Sequence, residues 1–236
     1  MAVRGRAVAS VRTEGWRGRG PPPQPALPKR LLAAAYPEEG ARGGGGGGGD
    51  EQDARRLAVI EAEAELGVPV DVAWDWVTAP GQSIFRSIDK LAVRRVVQED
   101  PVARTRLVEV DMTLRWRLLM LTGTFANRSL RFEDHATKEM RFQEAPGQRS
   151  IWRRFDGHWK FESIGPQACR VSMTQYALPP RVMPVPGGHR GLRSALRGVV
   201  SGIFDDLVHA SNNWEPAGEA ACNGALTALG APPMLM

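Results

Sequence analysis

Cysteine is nearly missing from this chain: Cys169 and Cys222 are the only two in 236 residues. That excludes a disulfide framework and a thiolate metal centre, and leaves two free thiols as the expectation. Histidine is also sparse. His135, His158, His189 and His209 fall in separate segments without ligand spacing, so no metal site is expected. No apolar run approaches the roughly 18–20 residues that cross a bilayer as a helix. The glycine run at 43–49 has no strand before it and no apolar helix directly after it, so it does not read as a phosphate loop. No cofactor is expected. Catalytic signatures are equally thin: Ser201 in Val199-Val200-Ser201-Gly202 sits inside a helical pattern rather than on a sharp turn. Asp205 and Asp206 are adjacent, which points them about 100° apart and spoils a shared-proton dyad. Asn127-Arg128-Ser129 matches a glycosylation acceptor only as a chance triplet.

What charge there is lies unevenly. Residues 1–49 hold eight Lys or Arg against three Glu, so 23 basic and 23 acidic residues remain in 50–236. The net charge of +5 belongs to the leader, and the rest offers no net field for phosphates; no nucleic-acid partner is expected. Residues 1–30 are basic and acid-poor, the composition of an organelle transit peptide, with a disordered extension as the alternative. Residues 31–56 are a Pro/Gly-rich linker. Periodic sequence runs over 57–214, long enough to bury a proper core, and 215–236 is an Ala/Gly/Pro-rich tail.

Within 57–214 the hydrophobic period changes in an informative order. LAVIEAEAEL alternates apolar residues with Glu61, Glu63 and Glu65, a half-buried strand. VPVDVAWDWVTAPG places Val70, Ala73, Trp74 and Val77 on one face of a helix, with Pro69 suited to its first turn. A second short helix is expected to hold Ile84, Phe85 and Ile88. Strands are then expected at 89–98, 104–121, 128–134, 138–144, 150–163 and 168–177. The strand at 104–121 has apolar residues at every other position from Val108 to Met120, with Gly123 a bulge after it. Finally, Gly191 to Ala210 has a 3.6-residue apolar period that includes Leu196, Val199, Ile203, Phe204 and Leu207.

Helices at the two ends of an antiparallel run indicate an α+β domain. A curved sheet of about seven strands around a long C-terminal helix satisfies every pattern. The stripe Ala195, Gly198 and Gly202 then has a purpose: small residues let the helix approach the concave sheet, against a cost of about 1 kcal/mol per glycine.

At this point VPVDVAWDWVTAPGQ, FDGHWKFESIG and CRVSMTQYALPPRVMP resemble the first helix, the late hairpin and the proline-bearing loop of the START-like, or SRPBCC, superfamily. That superfamily includes polyketide cyclase/dehydrase and coenzyme-Q-binding START proteins. Trp76 and Ala79-Pro80-Gly81 depart from its usual first helix. The resemblance implies a helix-grip fold enclosing a mostly apolar cavity between the sheet and the last helix. It implies a hydrophobic small-molecule partner such as a lipid, isoprenoid or quinone; the alternating strand, the helix stripe and the lack of catalytic residues point to binding without catalysis. A polyketide cyclase or aromatase-like enzyme and a structural domain with a closed cavity are the alternatives. Cargo exchange would bring the domain transiently to a membrane surface, although no basic amphipathic helix marks one. The leader fits the plastid-targeted plant and algal members, with the mitochondrion as the alternative.

The wall candidates are Trp116, Met120, Phe142, Trp159, Val199, Ile203 and Leu207, all of which would serve equally as plain core. Arg153 joins them if Ile151, Arg153 and Phe155 share the inner face. The other register turns Trp152, Arg154 and Asp156 inward. Asp206 is the partner that a buried Arg153 would need, with Arg193 or Arg197 as its surface alternatives.

Overall fold

The computed structural model describes residues 9–15, 57–79, 84–118, 121–147, 152–179 and 188–215. The chain order is β1 (Ala9–Gly15), β2 (Ala58–Leu66), α1 (Val70–Thr78), β3 (Ile88–Asp100), β4 (Thr105–Leu118), β5 (Leu121–Asp134), β6 (Glu139–Glu144), β7 (Arg154–Gly165), β8 (Ala168–Leu178) and α2 (Gly188–Asn212). The eight strands form one sheet in the order β1-β2-β8-β7-β6-β5-β4-β3, antiparallel throughout. This is the START-like helix-grip: the meander β3 to β8 returns to β2, and α2 lies across the hollow.

Alternation does what the sequence promises. In β2 the apolar positions are buried while Glu61, Glu63 and Glu65 are exposed. In β8, Cys169, Val171, Met173 and Ala177 are buried on the same face. Helix α2 buries Leu196, Val199, Val200, Ile203, Phe204 and Leu207 against that face. Each large apolar side chain removed from water contributes about 1.5–3 kcal/mol, which is what holds the helix in the hollow. The Phe204 and Trp159 rings stack 5.5 Å apart at 8°. Polar ties fix the helix at specific heights. Asp206 accepts hydrogen bonds from the backbone N and side-chain Nε of Arg86, and Ser211 Oγ accepts one from the backbone N of Gly67.

Four expectations need correction. The sheet has an eighth strand, because residues 9–15 pair with β2 and set Val11 against the core. The expected second helix is absent among the described residues: 84–87 are coil and turn, and β3 begins at Ile88. Five residues cannot offset helix nucleation, and here the backbone N of Ile88 bonds to Phe85 O and Ser87 O accepts from Arg115 N instead. Gly123 is not a bulge. It pairs in register with Trp116 in an uninterrupted β4–β5 ladder, and the register shifts fall in β3–β4. Finally, a Cβ on Gly198 would meet nothing within 4 Å, and one on Gly202 only Ser87 Oγ at 3.7 Å. Close approach to the sheet does not require either glycine. Gly198 is exposed, and only Ala195 of that stripe is buried.

Candidate functional site

Between α2 and the concave face lies an apolar chamber of about 100 Å³. The sheet builds its floor in rows, since residues directly opposed on antiparallel strands share a face. One row runs Val108, Arg131, Phe142, Gly157, Gln175 and Ile60 across six strands. The next runs Glu133, Met140, Trp159, Met173 and Ala62. Leu196, Val199, Val200 and Ile203 of α2 form the roof, while Val77 of α1 and Phe85 close one side.

Gly157 is what lets this floor close. A Cβ there would lie 2.4 Å from the Thr174 carbonyl oxygen and 2.8 Å from Phe142 Cζ. The Phe142 ring therefore lies over a bare backbone, in the middle of the row that separates Arg131 from Gln175.

Among the described residues, only Ser129, Arg131 and Gln175 bring polar side chains to this lining. Arg131 is buried, and its guanidinium is largely committed: Nη1 and Nη2 donate to the Val77 and Thr78 carbonyls at 3.3 and 3.0 Å. A cation at the carbonyl end of α1 also opposes the helix dipole favourably. Its Nε lies 2.5 Å from Glu133 Oε1 as an ion pair, off the axis of a well-aligned hydrogen bond. Burial lowers the Arg131 pKa from its ordinary value, with Glu133 opposing that shift. Glu133, fully buried, also accepts from Arg106 Nε and Nη2. Behind it His135 Nδ1 accepts from the Trp74 indole N–H at 3.0 Å, and Nε2 faces Glu133 Oε2 at 3.4 Å. An accepting Nδ1 puts the proton of a neutral imidazole on Nε2, toward the carboxylate. This network anchors α1 to the sheet. Among the described residues, the side chains of Ser129 and Gln175, each about 5% exposed, have no hydrogen-bond partner.

A second, more open pocket of about 480 Å³ lies beside the chamber. Its walls are the β4–β5 hairpin at Arg115 and Thr122 to Thr124, together with Ser87, Gly198 and Val199. Val199 belongs to both walls.

Of the sequence candidates, Phe142, Trp159, Val199 and Ile203 come together in the chamber wall. Leu207 is fully buried in the core but does not line the chamber. Arg153 does not point inward: it is exposed, just before pairing starts at Arg154 with Leu178. The chain bends there, so Trp152 and Phe155 are both buried and the alternation does not extend back to Arg153. Asp206 is buried, but its partner is Arg86 rather than Arg153, Arg193 or Arg197. Trp116 lies on β4 opposite Gly123, and Met120 lies outside the described residues. Asn127 is buried within β5, a poor position for a glycan. Sequence reading missed Ser129, Arg131 and Gln175. The signal was there in β8: Cys169, Val171, Met173, Gln175 and Ala177 are five successive alternate positions, and one of them is polar. Among the described residues no group of three or more His, Cys, Asp or Glu is placed to hold a metal ion.

No protein-family model matches the sequence, and neither does any curated protein. Solved structures do. The Zhui aromatase/cyclase from a Streptomyces species aligns with a TM-score of 0.51 at 13% identity, over 69% of this chain and 98% of that one. Human STARD10 aligns at 0.49 and 13%, over 70% and 66% of the two chains. A START superfamily protein from Mycobacterium smegmatis aligns at 0.48 and 10%, over 65% and 96%. At such identities the first of these speaks for the fold alone, and the fold it shares with this chain is that of the START-like superfamily.

Proposed function

We propose that this protein binds or carries a hydrophobic small molecule, such as a lipid, isoprenoid or quinone, in the space between α2 and the sheet. The observation that carries this reading is an apolar chamber with, among the described residues, just three polar side chains in its lining. Such sites bind mainly through buried area, with a few polar groups setting orientation. The chamber alone is smaller than the roughly 300–1,000 Å³ usual for ligand sites. The ligand therefore places its apolar end in the chamber and extends past Val199 into the larger neighbouring pocket, which Val199 also lines. Native mass spectrometry of the purified full chain is the test. A reproducible apolar passenger, released by organic extraction, is expected; protein that is always empty and takes up no added fatty alcohol would refute the reading.

Two observations keep other readings in view. Arg131 gives a cyclase-like enzyme one cation in the lining, but its guanidinium is tied to Glu133 and to two carbonyls. The small chamber volume favours a closed structural domain, which the same mass measurement addresses. For location, the basic leader supports plastid delivery, with the mitochondrion second, and import of a reporter carrying residues 1–30 tests it. Cleavage beyond Gly15 would take β1 off the sheet and leave β2 as its edge.

A further inference from the structure

Burying a polar side chain without a partner costs free energy, so protein interiors rarely do it. Here two polar side chains open onto one apolar chamber. Ser129 on β5 and Gln175 on β8 are more than nine-tenths buried, line the chamber, and have no side-chain hydrogen bond among the described residues. Gln175 lies in the row of Phe142 and Gly157, while Ser129 lies one row away on β5, opposite Glu144; three strand spacings and two residues put them about 16 Å apart along a flat sheet.

We infer that Gln175 and Ser129 are the recognition groups of the chamber, each on its own row, and that either one selects for a neutral oxygen, a hydroxyl or carbonyl, on an apolar body. This rests on the binding reading above. Neutrality follows from the charges present: both residues are uncharged, and Arg131, the one cation of the lining among the described residues, is already paired with Glu133 and with the carbonyl end of α1. A carboxylate or phosphate would find no unspent cation among these groups. A hydrocarbon would leave both polar side chains unpaired. A site built to hydrogen-bond an oxygen rejects the analogue lacking it far more strongly than a greasy pocket rejects an added hydroxyl.

The test uses a matched pair, 2-naphthol and 2-methylnaphthalene, titrated into the full-length wild-type chain and into Gln175→Met and Ser129→Ala. Wild type is expected to prefer the naphthol, and the substitution at whichever group its single hydroxyl reaches to cut that preference by about tenfold, the effect of losing one good hydrogen bond. Affinity for 2-methylnaphthalene is expected to hold or rise. The unliganded Gln175→Met protein is also expected to melt a few degrees higher, because an unpartnered amide has been removed from the interior. A residue with a merely structural role would shift in the opposite direction. If wild type binds both compounds and neither variant changes the ratio, the inference fails while the binding reading stands. If wild type binds neither, both fail. Ser129→Ala removes a single atom and keeps the test informative should Gln175→Met fold poorly.

Discussion

Arg86 donates to Asp206 twice, from its backbone N at 2.7 Å and from its side-chain Nε at 2.5 Å, and so ties the segment before β3 to the C-terminal half of α2. The two ends of this bond are unequal: the Asp206 side chain is 3% exposed and that of Arg86 is 79% exposed. Removing the buried end strands a backbone N–H, whereas removing the exposed end leaves that N–H satisfied. Asp206→Ala is expected to cost about 1.5–3 kcal/mol, and Arg86→Ala less than about 1 kcal/mol. Urea unfolding of the two variants checks the asymmetry; equal losses would show that the side-chain pair, not the backbone bond, carries the tie.

Two glycines should answer alanine in opposite ways. Gly157→Ala forces a Cβ against the Thr174 carbonyl, which is backbone and cannot swing aside. A loss of about 1–3 kcal/mol or more is expected, and shrinking Phe142 will not rescue it. At Gly198 the added methyl meets nothing within 4 Å. Gly198→Ala is expected to gain about 0.8–1 kcal/mol from helix propensity. Thermal melts of both proteins decide this, and destabilisation by Gly198→Ala would mean the helix packs more tightly than it does here.

His158 and Cys169 give stability a pH dependence at opposite ends of the range. Burial lowers the His158 pKa, and Arg141 adds to the effect while Glu139 and Glu61 oppose it. The unfolded chain therefore takes up a proton near pH 6.5 that the folded chain does not. Stability is unaffected above that pH and falls as the pH drops from about 6.5 toward the folded value. His158→Asn is expected to flatten this part of the profile between pH 7 and 5. Cys169, fully buried, has its thiol pushed up to about 11 by burial. Its contribution is complete below its ordinary value of 9.0 and is lost as the pH rises toward 11. At pH 8 its peptide should escape iodoacetamide in the native protein and react in denaturant; native labelling would contradict the burial.

How much of this was legible without coordinates depends on which force fixed each feature. Period-2 and period-3.6 patterns report burial directly, so β2, β8 and the inner face of α2 could be read residue by residue. Phe142, Trp159, Val199 and Ile203 were found for the same reason. Arg153 was ambiguous because a bend before Arg154 breaks the alternation, and no local signal marks it. Arg86 could not be assigned to Asp206, since 120 residues separate them and only tertiary packing brings them together. Pairing of 9–15 with β2 was hidden by a composition that reads equally as a leader. Gln175 was within reach but was passed over, because a polar residue in an apolar row looks like an exception until the chamber explains it.

The central claim is that an apolar molecule sits behind α2, and a crystal structure of the protein soaked with 2-naphthol tests it most directly. Density for the ring system is expected among Phe142, Trp159, Val199 and Ile203. Density only on the outer face of the sheet, or none with the chamber filled by its own side chains, would contradict it.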